Sequence, residues 1–309
     1  MLSFILAKIA RAFLTIIMVM TFAFVVLRLS GDPAQILLGP DAPADAVAAF
    51  RERWGLSDPI WKQYLAYLAQ ILQLDFGVSM RNQVPAINLV LERVPATLAL
   101  TVPALILKIC IGIPAGVYAA LHRNSIVDRG VIMLSILGFT IPSFVLGLVL
   151  VLIFSVNLSL LPSGGQDTYW HALLPIITMS VGGIGILARF SRSAMIEVLD
   201  QPYIRTAMSK GLPWRDVVWK HALPNAAVPI VTLVGFMVGA LIAGAVVVES
   251  IFAWPGVGRL IVISVANRDL AVVQALLLFI AAAMVIANLL VDFAYGLLDP
   301  RLRSQRAAH

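Results

Sequence analysis

Long apolar runs alternate with short polar breaks along this chain, and the run lengths decide how it is read. A hydrocarbon core about 30 Å thick is crossed by about 20 helical residues. Six runs reach that length: 9–29, 96–120, 131–154, 172–190, 225–248 and 271–296. Each predicts a membrane-spanning helix. The first follows Lys8 and Arg11 as a secretory leader would. Its apolar part, Ala12 to Leu27, is long for a leader and lacks a small-x-small cleavage site, so it is read as a retained anchor.

Two shorter runs predict something else. Ile60 to Leu74 places Trp61, Tyr64, Leu65, Leu68, Ile71 and Leu72 on one helical face, with Lys62, Gln63 and Gln70 elsewhere. That pattern predicts an amphipathic helix lying against a surface. Val257 to Ala266 is short, contains Arg259 and follows Trp254-Pro255-Gly256, as a re-entrant or interfacial helix would.

Composition agrees with the pattern. The chain of 309 residues is 61% hydrophobic and 12% charged, with a mean hydropathy of +0.96. A soluble domain carries about 25% charged residues, so water-soluble and disordered classes are excluded. The excess of 22 Lys and Arg over 16 Asp and Glu is a topology signal rather than a nucleic-acid surface. Lys8 and Arg11 precede span one; Arg123 and Arg129 join spans two and three. Arg189, Arg192, Arg205, Lys210, Arg215 and Lys220 join spans four and five, and Arg301, Arg303 and Arg306 follow span six. The loop from Ser155 to Trp170 has no Lys or Arg, and the loop after Glu249 has only Arg259 and Arg268. Both termini are therefore expected in the cytoplasm. Cys110 is the only cysteine, which leaves no intrachain disulfide and reads as a small buried hydrophobe.

The loop between spans four and five carries the densest pattern. Asp200 is placed to cap a helix whose first turn tolerates Pro202. Tyr203, Ile204, Ala207 and Met208 share one face; Arg205 and Ser209 point elsewhere. Gly211 is placed to end this helix in a left-handed conformation. Pro213 opens a second helix with Trp214, Val217, Val218 and His221 at i, i+3, i+4 and i+7, and Pro224 is expected to stop it before span five. On its own such a loop could be a topology signal and nothing more.

Its residues resemble the EAA loop of ATP-binding-cassette importer permeases. Arg205-Thr206-Ala207, three residues, Gly211, nine residues, His221, one residue, then Leu223-Pro224 follows Glu-Ala-Ala, three residues, Gly, nine residues, Ile, one residue, Leu-Pro. Ala207, Gly211, Leu223 and Pro224 match; Arg205, Thr206 and His221 depart from the general form, and Tyr203-x-Arg205-Thr206-Ala207-x-x-Lys210-Gly211 is similar to the version of peptide and nickel permeases. Gly31-Asp32-Pro33, Gly55-Leu56 with Asp58-Pro59, Asp75-Phe76-Gly77 with Ser79, Val248-Glu249-Ser250-Ile251-Phe252, Trp254 to Leu260 and Leu298-Asp299-Pro300-Arg301 are similar to the family in order. Ala188-Arg189-Phe190-x-Arg192-Ser193 is most similar to dipeptide and glutathione permeases.

The resemblance implies an all-α integral membrane protein of the bacterial inner membrane with six transmembrane helices of the type I importer permease fold. It implies a tail and first span over 1–29 and a small helical periplasmic segment over 30–95. A five-helix core then covers 96–298 with a coupling loop at 191–224, and a cytoplasmic tail covers 299–309. The implied function is ATP-driven import of small peptides or peptide-like solutes; a chelated nickel or opine-type solute is the alternative within the same role. Implied partners are a second permease, two ATPases that carry ATP and Mg, a periplasmic binding protein and membrane lipid. Tyr203, Arg205, Thr206, Ala207, Lys210, Gly211, Leu223 and Pro224 would couple to an ATPase. The segment 30–95 would either dock the binding protein or lie as a lid over the pore mouth. Trp254, Pro255 and Gly256, with Glu249 beside them, would be an outer gate or a rigid interfacial turn.

The residues add their own constraints. No Lys follows a Gly, so no nucleotide-cradling loop is present, and Gly182-Gly183-x-Gly185 reads as close helix packing. Lys108 lies about 18 Å from either end of its span by helical rise. It would attract a solute carboxylate or pair with an acid of the second permease. Asp292 reads as an anchor or packing residue. His122, His171, His221 and His309 form no metal-ligand cluster, and no catalytic constellation is expected. An ion-coupled carrier would show paired, broken-helix repeats, and the two halves here differ. An intramembrane enzyme needs catalytic groups that the spans do not show.

Overall fold

The computed structural model describes residues 2–298 apart from 30, 32, 40 and 74, with side chains except those of 2–9, 12, 27–29, 33, 36, 288 and 290–298. The roles expected of Lys8, Asp292, Arg301, Arg303, Arg306 and the tail 299–309 lie outside the described residues, as do Asp32 and the motif from Asp299. All regular structure among the described residues is helical; the one β feature is an isolated bridge between Val78 and Pro85.

Among the described residues four helices are long and apolar enough to cross a membrane: 86–121, Trp170–Leu199, Trp214–Gly239 and Leu270–Ala287. The first expected span lies in α1 (Leu2–Leu29), with an apolar stretch at Phe13–Val26. The expected third span is not straight. It is two helices, α7 (Ile126–Thr140) and α8 with its π extension (143–157), bent by 94°. Pro142 causes the break, because it lacks an N–H and holds Ile141 extended at φ −74°, ψ 117°. The expected fifth span ends at Gly239 and resumes as α13 (Ala245–Ile251) after a turn between two glycines, Gly239 and Gly244.

The chain divides into two compact units. One comprises 1–97 and 255–283. It holds α1, α2 (Pro33–Leu38), α3 (Ala44–Arg53), α4 (Ile60–Leu72), the start of α5 (Ala86–Leu107), α14 (Val257–Ala266) and the first part of α15 (Leu270–Leu298). Phe24 of α1 is buried against Tyr64 and Tyr67 of α4, and the Tyr64 hydroxyl lies 2.7 Å from Thr21 Oγ1. The covered face of α4 is not quite the expected one. Trp61, Leu65 and Leu72 are exposed, whereas Gln63 turns inward and donates to the carbonyls of Leu56 and Asp58. Asp269, buried before α15, accepts Ser79 Oγ at 2.5 Å and the Met80 N–H at 3.2 Å. The Ser79 that follows Asp75-Phe76-Gly77 is thus tied to the start of α15.

The second unit comprises 98–254 and the rest of the chain from 284. Its hub is α9 (Trp170–Leu199), against which α6 (Ile113–Leu121), α7, α8 and α12 (Leu223–Gly239) pack. Small residues bring the backbones together. A Cβ on Gly185 would fall on the Ser135 carbonyl, and one on Gly182 would lie 3.4 Å from the Gly138 carbonyl, as expected of that glycine cluster. Gly112, at the end of the π segment before α6, and Gly116 of α6 serve in the same way. A Cβ on Gly116 would meet the Ala188 carbonyl and lie 2.9 Å from Arg192 N and Ser191 Cβ. Gly116→Val is therefore expected to lower stability by about 1–3 kcal/mol, measured as a lower unfolding midpoint of the detergent-solubilised protein.

Candidate functional site

The residues expected to couple lie on α10 (Pro202–Ser209), in the turn after it, and where the next helix begins. Ile204 and Ala207 are buried in one core with Ala120, Leu187 and Met195, and with Val217, Val218, Ala222 and Ala226. That core clamps α10 onto α9 and onto the helix that leads into α12. Tyr203, Arg205, Thr206, Met208 and Lys210 are left outward. The expected face is corrected accordingly: Tyr203 and Met208 lie with Arg205 on the exposed side, and Ala207 positions the helix from within. Partial burial raises the Tyr203 pKa above the ordinary phenol value. Arg205 and Lys210 have no carboxylate partner among the described residues.

The start of α10 differs from expectation and its end does not. Its N-cap is Gln201, without a side-chain cap bond, and Asp200 instead closes α9 and faces Arg123 at 3.4 Å. The other end is as expected: Gly211 has φ +80°. The Gly211 N–H bonds to the Met208 carbonyl at 3.0 Å and the Leu212 N–H to the Ala207 carbonyl at 3.4 Å. These are the two bonds of a Schellman motif.

Pro224 does not stop the second helix. From Trp214 the helix passes through a π segment, Val217–Ala222, into α12 and runs unbroken to Gly239. The wider π turn shifts the bond pattern just ahead of Pro224, so the missing N–H and the ring clash are absorbed rather than breaking the helix. Leu223 and Pro224 thus lie inside a helix continuous with the fifth span. Lys220 pairs with Asp216 on it at 2.8 Å.

Two features escaped the sequence pattern. Trp214, expected on one face with Val217 and Val218, is 48% exposed while those two are buried, and with Trp219 at 63% it extends the outward surface of the loop. Second, Asp128, 2% exposed at the start of α7, takes two hydrogen bonds from the Arg192 guanidinium of α9, that from Nη2 being 2.8 Å long. The Asn124 N–H adds a third at 2.9 Å, and Ser125 caps α7 by accepting from the Asp128 N–H. An acid beside Arg123 and Arg129 in a basic loop was the available signal.

Lys108 begins the π segment Lys108–Gly112 between α5 and α6. Its stem lies over Gly183 of α9, where a Cβ would come within 2.6 Å of Lys108 Cδ and Cε. It is half-buried and has no ion-pair partner among the described residues. The expected gate residues divide between the units. Glu249 and Trp254 are buried in one, where the Trp254 N–H bonds to the Glu249 carbonyl at 2.9 Å. In the other, Pro255 accepts from Arg93 at 3.3 Å and Gly256 caps α14, whose Val257 N–H reaches Thr97 Oγ1 at 2.8 Å. These contacts describe closely packed turns.

Comparison with known proteins adds to this geometry. Residues 112–304 match the binding-protein-dependent transport system inner membrane component family, and residues 1–101 match the N-terminal part of such membrane components. The glutathione transport system permease protein GsiC of Salmonella typhimurium strain LT2 is 41% identical over 290 residues, covering 94% of both chains. That of Escherichia coli K12 is 39% identical with the same coverage. The inward-facing MetNI methionine ABC transporter shares the fold, with a TM-score of 0.51 and 21% identity over 72% of this chain and 96% of that one. A helical protein built around spans of this kind, matched along almost its whole length, belongs to the binding-protein-dependent transport system inner membrane component family: it is a multi-pass permease subunit of an ABC importer.

Proposed function

We propose that this permease moves small peptides or peptide-like solutes across the inner membrane, with both termini in the cytoplasm. It pairs with a second permease and receives solute from an outer binding protein. Two ATPase subunits carry ATP and Mg and perform the hydrolysis. The observation that carries this reading is α10: a short helix rooted by Ile204 and Ala207 in a core shared with the fifth span. It presents Tyr203, Arg205, Met208 and Lys210 outward. An ATPase groove lined with carboxylates and apolar side chains would seat that surface. Nucleotide binding then favours one conformer of the permease pair through differential affinity. Gly211 fixes the angle between α10 and the lever that begins at Trp214, so movement of the ATPase is delivered to α12. The substrate class is supported by the 39–41% identity to glutathione permeases.

The test is uptake into vesicles holding the complete importer, with labelled glutathione, dipeptides and tripeptides. ATP-dependent uptake that requires the binding protein is expected. Recovery of the chain alone, with uptake driven by a proton gradient and indifferent to ATP, would overturn the reading.

Lys108 is assigned to the solute path, where its ammonium attracts a passing carboxylate. Lys108→Met is expected to raise the KM for carboxylate-bearing solutes about tenfold, equivalent to about 1.4 kcal/mol, with assembly intact. Loss of the permease pair instead would place Lys108 against an acid of the second permease.

A further inference from the structure

Within the first unit, α1, α14 and α15 enclose a lateral groove of about 440 Å³. Phe22, Ala23 and Val26 of α1, Val265 of α14 and Leu277 of α15 line it, and Arg268 is its one charged lining residue. The volume is about three times the ~150 Å³ of an engineered apolar cavity that takes up benzene. That is room for one acyl chain.

Arg268 stands in the short connection between α14 and α15, with a left-handed φ of +51° that L residues seldom adopt. Its guanidinium occupies space left by the missing side chain of Gly31, where a Cβ would fall on it. The adjacent carboxylate, Asp269, is taken up by Ser79 and Met80. Arg268 therefore has no ion-pair partner among the described residues, although it is half-buried beside an apolar groove. A cation held in this way beside hydrocarbon lacks a counter-charge, and a guanidinium binds a phosphate with two parallel hydrogen bonds.

We propose that this groove holds an anionic phospholipid, one acyl chain lying among α1, α14 and α15 and the phosphodiester bound to Arg268. With the orientation proposed above, the lipid belongs to the outer leaflet, where α1 ends and α15 begins. Lipid binding itself does not depend on the identity of the transported solute.

The test is native mass spectrometry of the full chain, in the assembly in which it is purified, released from vesicles of equal phosphatidylglycerol and phosphatidylcholine. Retention of phosphatidylglycerol over phosphatidylcholine by about tenfold is expected, which is about 1.4 kcal/mol. Arg268→Gln should abolish the preference and Arg268→Lys should keep most of it. Val265→Trp, a substitution at a 49% exposed position that fills the groove, should displace the lipid while leaving the elution volume unchanged. If the glutamine variant is not recovered folded, the tryptophan variant carries the test with its charge intact. Equal retention of the two headgroups, or a preference unchanged in both variants, would overturn the proposal and leave only annular lipid. So would a cysteine at Val265 that cross-links to the second permease, which would make the groove a subunit interface.

Discussion

A valine at Gly211 should leave the chain inserted in the membrane and remove most of its ATP-driven transport. The backbone there has φ +80°, and no atom lies within 4 Å of where a Cβ would stand. The cost of a side chain is thus conformational rather than steric. A β-branched residue at positive φ is a strained outlier, at about 1–2 kcal/mol. The chain relieves the strain by abandoning the left-handed turn, which breaks the bonds from Gly211 to Met208 and from Leu212 to Ala207. The helix α10 then loses its fixed angle to the lever that begins at Trp214. A shift of that size is worth about five- to thirtyfold in a coupling equilibrium. Gly211→Asn, which tolerates the left-handed region, should retain most of the activity. The readout is uptake in reconstituted vesicles beside ATPase rate: the valine variant should hydrolyse ATP without moving solute. Wild-type uptake by that variant would refute the joint.

Asp128→Ala should destabilise the second unit by about 3 kcal/mol. It strips two hydrogen bonds from Arg192 and one from Asn124, and leaves a guanidinium 19% exposed without a counter-charge. Removing one partner of a buried pair costs about 3–5 kcal/mol. The partial exposure of Arg192 places this case toward the low end. The pair ties the loop before α7 to α9 shortly before α10 leaves it, so coupling should weaken along with stability. Unfolding midpoints of Asp128→Ala, Arg192→Ala and the double variant form a cycle. The double variant should lose much less than the sum of the single losses, and additive losses would show that the two side chains do not act as a pair.

The sequence made different parts of this molecule legible to different degrees, for physical reasons. Run length and hydropathy locate apolar helices because a bilayer imposes one length on them, and the long runs at 96–120 and 172–190 stand inside helices of the structure. The same measure is blind to direction within a run. Pro142 splits 131–154 into helices at 94°, and nothing in the apolar count marks that bend. A proline alone does not decide whether a helix ends. Pro142 ends a helix, whereas Pro224 is carried through by the π turn before it. In the loop between spans four and five Gly211 was legible because only a few residue types favour positive φ. The exposed face of α10 was not, because Tyr203, Ile204, Ala207 and Met208 all fit one stripe while the neighbouring core receives only Ile204 and Ala207. The Asp128–Arg192 pair joins residues far apart in sequence, and no local pattern announces it.

The central claim is that the outward surface of α10 is where an ATPase drives this permease. Site-specific cross-linking tests it most directly. Cysteines replacing Tyr203 and Met208, which are 41% and 52% exposed, are paired with a short bifunctional reagent in the intact importer. Expected are adducts to an ATPase subunit from both positions, with yields that change when ATP is added. Adducts absent from both positions, while the complex remains assembled and cross-links to the ATPase form elsewhere on the chain, would contradict it.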